Sequence, residues 1–330
     1  MIHPLLQTYG PFDGWMILLL IASVSIGFFT YQVQKATRLV LIGTPDSRFD
    51  SWGPRIKEFI VGWLGQKKVL RDRVAGTMHV LMFWGFLMLA SDMFDLATAN
   101  YFSGELLPEL VVGPWNGMVE LGYTMALIGC VSALVRRVAF TPEKLKGKSQ
   151  LEGNAILLLI FTITTTSFMI ESKEDPSPFW EPIGYQFSEY GLSDRAVVVS
   201  YWLHMLAISV FLFLIPLSKH MHLVMAVPNV FFHDTGPAGK MRPLAMGDDG
   251  KAVPLEDLDI DSFGVSSYTQ YTWRQLIDGW SCTSCARCQD VCPAYASGKG
   301  LNPMQVIHDV RDYANEHAPL LLSGEAPGET

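Results

Sequence analysis

Charge is scarce in this chain: Asp, Glu, Lys and Arg make up 17% of 330 residues, against about a quarter in ordinary soluble domains. No basic tract accompanies the net charge of −8, which argues against the electrostatic footprint of a nucleic-acid binder; no nucleic acid is expected as a partner. Cysteine is also sparse, with five residues, four of them between 282 and 292. A disulfide framework spreads its cysteines along the chain, so this cluster reads instead as metal ligation in a reducing compartment. Residues 1–13 contain no Lys or Arg. A secretory signal has a basic segment before its apolar run, so the first run reads as a retained helix. Internal repeats and charged, broken helices are not evident, which disfavours a transporter or channel.

What the chain has in quantity is long apolar runs. A membrane-crossing helix needs about 20 mostly apolar residues, and five stretches qualify, near 14–33, 74–97, 116–135, 153–171 and 196–217. None shows the polar face of a water-soluble core helix. The fourth carries a cluster of threonines, whose hydroxyls are expected to bond the preceding turn. Loop charges set an orientation. The loop at 34–73 carries nine Lys or Arg and the loop at 136–150 five, whereas residues 74–135 carry none. Positive residues stay on the cytoplasmic side, so the N-terminus is expected outside and the C-terminus inside. The expectation is an all-α, multi-pass protein of the inner (cytoplasmic) membrane, in contact with lipid.

After the fifth run the composition turns polar. The expected domains are a membrane domain over 1–222, an extended cytoplasmic linker over 223–265, and a small α-helical ferredoxin-like segment over 266–330. That segment predicts a helix near 269–280 and a second after Asn302, with Asn302 as cap and Pro303 at the first helical position.

Residues 282–293 read CTSCARCQDVCP, a C-x2-C-x2-C-x3-C-P pattern. Three thiolates two residues apart can wrap one [4Fe–4S] cluster, and in two-cluster ferredoxins the fourth Cys, before Pro, serves the other cluster. Structural zinc sites more often pair two separated C-x2-C units. Cys282, Cys285, Cys288 and Cys292 are therefore the expected cluster ligands. The sequence holds no second such motif, so neither cluster would be fully coordinated by these residues alone; either a partner supplies ligands or, more economically, the chain is a piece of a longer one. Cys130 falls inside the third run and reads as a buried, inert small residue.

Three of the eight histidines invite a cofactor. His79 lies in the second run, about 9 Å inward from Arg73 at 1.5 Å per residue. His204 and His222 are eighteen residues apart, which is five turns of 3.6 and about 27 Å if the helix is continuous; Pro216 stands between them. A haem b iron takes two axial imidazoles at matching depth, and His79 with His222, both at the cytoplasmic boundary, form the preferred pair. His204 is the candidate for a second haem, with Met88 or Met93 as a conceivable partner; one haem is the central expectation and two the alternative. The bland reading is that His222 reaches to the interface and His79 satisfies a buried hydrogen bond, but ionisable groups inside a membrane default to function. Asp92, Asp95 and Glu120 lie near outer helix ends. They read as quinol-facing proton acceptors or simply as water-facing acids.

Residues 204–222, HMLAISVFLFLIPLSKHMH, resemble the cytochrome b (gamma) subunit of membrane-bound nitrate reductases. The resemblance implies haem ligation by His204 and His222, with His79 paired to His222. That family's second ligand in the second run would fall on Leu89, which departs from its pattern. Residues 273–311 resemble the start of heterodisulfide-reductase-type iron–sulfur proteins. Chains fusing both parts are similar to membrane-bound electron-transfer-flavoprotein:quinone oxidoreductases and to electron-transport subunits associated with sulfite reduction. The resemblance implies an oxidoreductase passing electrons between a cytoplasmic redox protein (electron-transfer flavoprotein or an iron–sulfur subunit) and quinone or quinol. The alternative is a haem-free membrane anchor for an iron–sulfur complex.

Overall fold

A computed structural model describes residues 3–99, 109–140, 148–236, 253–257 and 265–325. They are mainly helical; among them the one sheet is a two-stranded hairpin, β1 (Thr8–Tyr9) and β2 (Phe12–Asp13). The chain divides into two compact units, one of residues 1–31 and 66–218, the other of residues 32–65 and 219–330.

Five helices are long and apolar enough to cross a membrane, over Gly14–Leu41, Arg73–Ser91, Val112–Ala139, Gln150–Glu171 and Asp194–Leu217. They belong to α1 (Gly14–Leu41), which follows the hairpin, α3 (Arg73–Ala99), α4 (Glu109–Ala139), α5 (Lys148–Glu171) and α7 (Asp194–Leu217); α2 (Trp52–Glu58) and α6 (Pro182–Glu189) are short connectors. A helix suits a lipid solvent because every backbone group is satisfied within the segment. This is a membrane protein.

In the first unit α3 packs along α4, α4 along α5, and α5 along α7. The α3–α4 crossing is close because it runs over glycines. A Cβ on Gly85 would stand 2.7 Å from the Gly122 carbonyl oxygen, and one on Gly129 2.8 Å from that of Met78. Small residues at such crossings let backbones approach where no hydrophobic force distinguishes helix from lipid. The threonines of α5 bond back as expected, Thr164 to the Ile160 carbonyl at 2.9 Å and Thr166 to that of Thr162 at 2.6 Å. Cys130 is fully buried and its thiol donates to the Leu157 carbonyl at 2.9 Å.

Glu120 has a structural task that neither sequence reading foresaw. Its side chain is 3% exposed, and its two carboxylate oxygens accept from the backbone N–H groups of Ile183 (2.9 Å) and Gly184 (3.0 Å). Those amides open α6 and have no partner within that helix, so Glu120 caps α6 from α4. The side chains of Asp92 and Asp95 lie outside the described residues.

The second unit is a small helical body. It contains residues 32–41 of α1, α2, a π-helical turn over Phe59–Leu64, and then α8 (His222–Phe231), α9 (Trp273–Ser281), α10 (Arg287–Asp290), α11 (Pro293–Ala296), α12 (Pro303–Glu316) and α13 (Ala318–Ser323). Its core joins Leu39 and Val40 of α1, Met221, Met225 of α8, Leu276 and Trp280 of α9, and Ala314 of α12. Tyr268 donates its hydroxyl to the Leu39 carbonyl at 3.0 Å. Thr44 pairs with Thr272 in a parallel bridge, giving its N–H to the Tyr271 carbonyl at 2.8 Å.

Two expectations are corrected here. The stretch expected as an extended linker from residue 223 begins as helix, because α8 runs over His222–Phe231 and packs on α9. The helix bearing His204 is not continuous to His222. It stops at Leu217, one residue after Pro216, and Ser218 is extended (φ −131°, ψ 175°). The proline lacks the amide that would bond the Leu212 carbonyl, which weakens the last turn, and with the helix ended at Leu217 the five-turn count between the two histidines does not apply.

Candidate metal centre

The cysteine segment is built by its two flanking helices. Thr272 and Gln275 form a capping box that starts α9. That helix ends where Cys282 turns extended (φ −69°, ψ 123°). The loop that follows holds two non-glycine residues in the left-handed region, Ser284 (φ 55°) and Ala286 (φ 61°). Left-handed backbone costs an L-residue roughly 1–2 kcal/mol, and such strain collects at functional loops. Cys288 sits on α10, and Cys292 caps α11, its sulfur accepting from the Tyr295 N–H at 3.5 Å. Asn302 caps α12 as expected, accepting from Met304 and Gln305, both at 3.1 Å.

The thiols fit an iron–sulfur cluster by chemistry and by neighbourhood. Burial pushes the Cys282 thiol up, and the nearby Cys285 and Cys288 add to this; a bound metal ion reverses that tendency and holds thiolates outright. As they stand, among the described residues, no three His, Cys, Asp or Glu side chains are close enough to hold a metal. Metal binding commonly supplies the final convergence itself.

One neighbour of the loop was not anticipated. His308, on α12, places Nε2 3.4 Å from the Cys282 sulfur and 3.3 Å from the Ser284 hydroxyl. Burial, then the Arg311 charge, pushes its imidazole down. With its proton on Nε2 it can donate to Cys282. No local pattern in the sequence marked it: His308 stands six residues before buried Ala314, off that residue's helix face, and is brought to the loop by the packing of α12 on α9, where Arg311 lies against Gly279.

A second unanticipated feature ties α8 to the loop. Asn229 donates through Nδ2 to Asp278 (2.7 Å) and to the hydroxyl of Ser281 (2.5 Å), the residue before Cys282. Arg274 closes the network, donating to Asp278 (2.8 Å), to Asn229 Oδ1 (3.2 Å) and to the Phe232 carbonyl (3.1 Å).

The three singled-out histidines divide between the units: His79 and His204 lie in the first, His222 in the second. His204 is 8% exposed. Its Nδ1 faces the Ile163 carbonyl at 3.1 Å and the Thr166 hydroxyl at 3.0 Å. That hydroxyl already donates to Thr162, so Nδ1 carries the proton and Nε2 the lone pair. His222 repeats the arrangement, with Nδ1 2.8 Å from the Lys219 carbonyl and its imidazole pushed down by burial. A metal-ligating imidazole has this tautomer, fixed by a carbonyl behind it. His79 lies along Phe83, ring planes 13° apart. The helices that carry His79 and His204, α3 and α7, meet through Phe86 and Phe211, ring centroids 6.4 Å apart.

No family model matches the chain, and no solved structure does. Curated proteins do. The chain is 27% identical over 320 residues to the probable iron–sulfur-binding oxidoreductase FadF of Bacillus subtilis, covering 93% of this chain and 44% of that protein. It is 27% identical over 339 residues to the EtfAB:quinone oxidoreductase of Syntrophomonas wolfei, covering 96% of this chain and 46% of that protein. Over 68 residues it is 38% identical to a probable membrane-anchored ferredoxin of Chromohalobacter salexigens, covering 19% of this chain. The chain thus spans less than half the length of the two relatives it matches almost throughout.

Proposed function

We propose that this chain is the membrane-bound electron-transfer part of an oxidoreductase, exchanging electrons between a cytoplasmic redox protein and quinone. The observation that carries the reading is the C-x2-C-x2-C-x3-C-P run held in a strained, helix-flanked loop beside His308, in a chain with five apolar helices. Relatives named an iron–sulfur-binding oxidoreductase and an EtfAB:quinone oxidoreductase support it, and the latter name points to electron-transfer flavoprotein as the donor.

Cys282, Cys285 and Cys288 hold a [4Fe–4S] cluster, and Cys292 contributes to the same or a second one. A cluster of this kind supplies one-electron transfer. The chain's own part is to ligate it, orient it through α9 and α12, and limit its access to water. His79 and His222 are the proposed axial ligands of a haem b, with His204 for a second. The likeness of residues 204–222 to the nitrate reductase gamma family and the proton on Nδ1 of both His204 and His222 support that assignment. The N-terminus is proposed outside and the cysteine segment in the cytoplasm, from the loop charges.

Two measurements test this on anaerobically purified protein. EPR with iron and sulfide analysis is expected to give a reducible cluster signal, and an iron-free protein sinks the reading. A pyridine hemochrome assay is expected to give haem b; a cluster without haem would leave the chain a haem-free anchor for an iron–sulfur complex.

A further inference from the structure

Between its first two membrane-crossing helices the chain forms α2 and the π-helical turn Phe59–Leu64. The segment's polarity is inverted. Arg55 points inward and is 1% exposed. Its guanidinium donates to the Asp50 backbone carbonyl and carboxylate, both at 2.7 Å, and to the carbonyls of His233 (2.7 Å) and Phe231 (3.3 Å). Those carbonyls lie at the C-terminal end of α8, where the helix leaves acceptors unpaired. Phe59 packs against Phe231 on the same side, ring centroids 5.9 Å apart. With Arg55 pinned, the adjacent face turns outward. Trp52, Ile56 and Ile60 lie four residues apart on that face and are about half exposed; Trp52 also rests against Phe231 (ring centroids 5.8 Å), and Phe49, exposed beside it, packs on Phe232 (5.5 Å).

An exposed apolar stripe needs a cover, and the chain indicates which one. The segment joins α1 to α3, so two consecutive crossings deliver both of its ends to the same membrane face. Residues 52–73 hold six Lys or Arg against two acids, a charge that complements anionic lipid. Trp52 has an amphipathic ring of the kind that gathers at headgroup depth. We propose that residues 49–64 lie on the bilayer surface, with Trp52, Ile56 and Ile60 inserted at the boundary between headgroups and acyl chains. Lys57, Lys67 and Lys68 face anionic headgroups. This is the arrangement of an interfacial amphipathic helix, fixed in rotation by Arg55. The inference rests on α1 and α3 crossing the membrane.

The full chain, reconstituted in nanodiscs of phosphatidylcholine with and without phosphatidylglycerol, carries photoreactive p-benzoylphenylalanine in place of Ile56, Ile60 or, as a reference, Leu19 of α1. Illumination followed by mass spectrometry is expected to find lipid adducts at all three positions. Phosphatidylglycerol is expected to raise the yield at Ile56 and Ile60, and K57Q/K67Q/K68Q to remove at least about threefold of that rise. Lipid adducts at Leu19 with none at Ile56 or Ile60 overturn the inference and leave the crossings intact. Crosslinks from Ile56 to a second copy of the chain, or no dependence on phosphatidylglycerol, overturn it as well. No lipid adduct at any position overturns the membrane reading beneath it.

Discussion

The two units solve the problem of a stable interior in different ways. In the first, apolar side chains are plentiful, and many face outward: Leu20 of α1, Leu121 of α4 and Leu203 of α7 are all exposed. Contact is made instead by closeness, over Gly85 and Gly129, and by short polar links such as Thr166 to His204. In the second, the interior is a buried apolar cluster around Leu39, Leu276 and Trp280, surrounded by polar clamps. The difference follows from the solvent. Where lipid is as apolar as leucine, burial gives little and packing detail decides; where water surrounds the body, burial is the main driving term.

That contrast can be broken most severely at the cysteines. Cys285→Ser is expected to abolish the cluster EPR signal and most bound iron while the first unit keeps its helicity by circular dichroism. Cys130→Ser should leave iron content unchanged, since that thiol only donates to Leu157. A smaller effect is expected at the close crossing. Gly129→Leu forces a side chain against Met78 and Met82 and should cost about 1–3 kcal/mol, read as a lower unfolding midpoint in detergent with the cluster signal intact. If Gly129→Leu instead removes the cluster and spares the midpoint, the division of labour between units is wrong.

Two finer tests sharpen the comparison. His308→Phe removes a donor to the Cys282 sulfur without touching a ligand. The cluster should persist, and its potential should fall by roughly 40 mV, equivalent to a hydrogen bond of about 1 kcal/mol on a one-electron couple. An unchanged potential in an EPR redox titration would show that the imidazole is only packing. The smallest effect is expected at Thr166→Val, which deletes one link between α5 and α7. His204 retains the Ile163 carbonyl, so the loss should be about 0.6 kcal/mol, visible only as a slight drop in the midpoint.

Legibility differed between these same regions. The five apolar helices could be read directly, because a lipid-facing segment must be long, apolar and internally hydrogen-bonded whatever its neighbours are. The cap at Asn302 and the back-bonding of Thr164 were legible too, since both are set within one turn. Glu120 was not. Its role depends on two amides 63 and 64 residues away, and no local pattern encodes that meeting. The same is true of Arg55, which reaches carbonyls 176 and 178 residues on. The supposed single face of His204 and His222 failed because a break after Pro216 was enough to end the periodicity on which the count relied.

Local chemistry, then, determined which stretches are helices long enough for a bilayer, where the thiols cluster, and which histidines are candidates, because spacing and hydropathy act along the chain. Tertiary structure decided that His308 meets Cys282, that Asn229 clamps the residue before it, and that an arginine sets the rotation of an apolar helix face. Those facts are contacts between segments distant in sequence, formed only when helices pack, and no periodicity within either segment contains them.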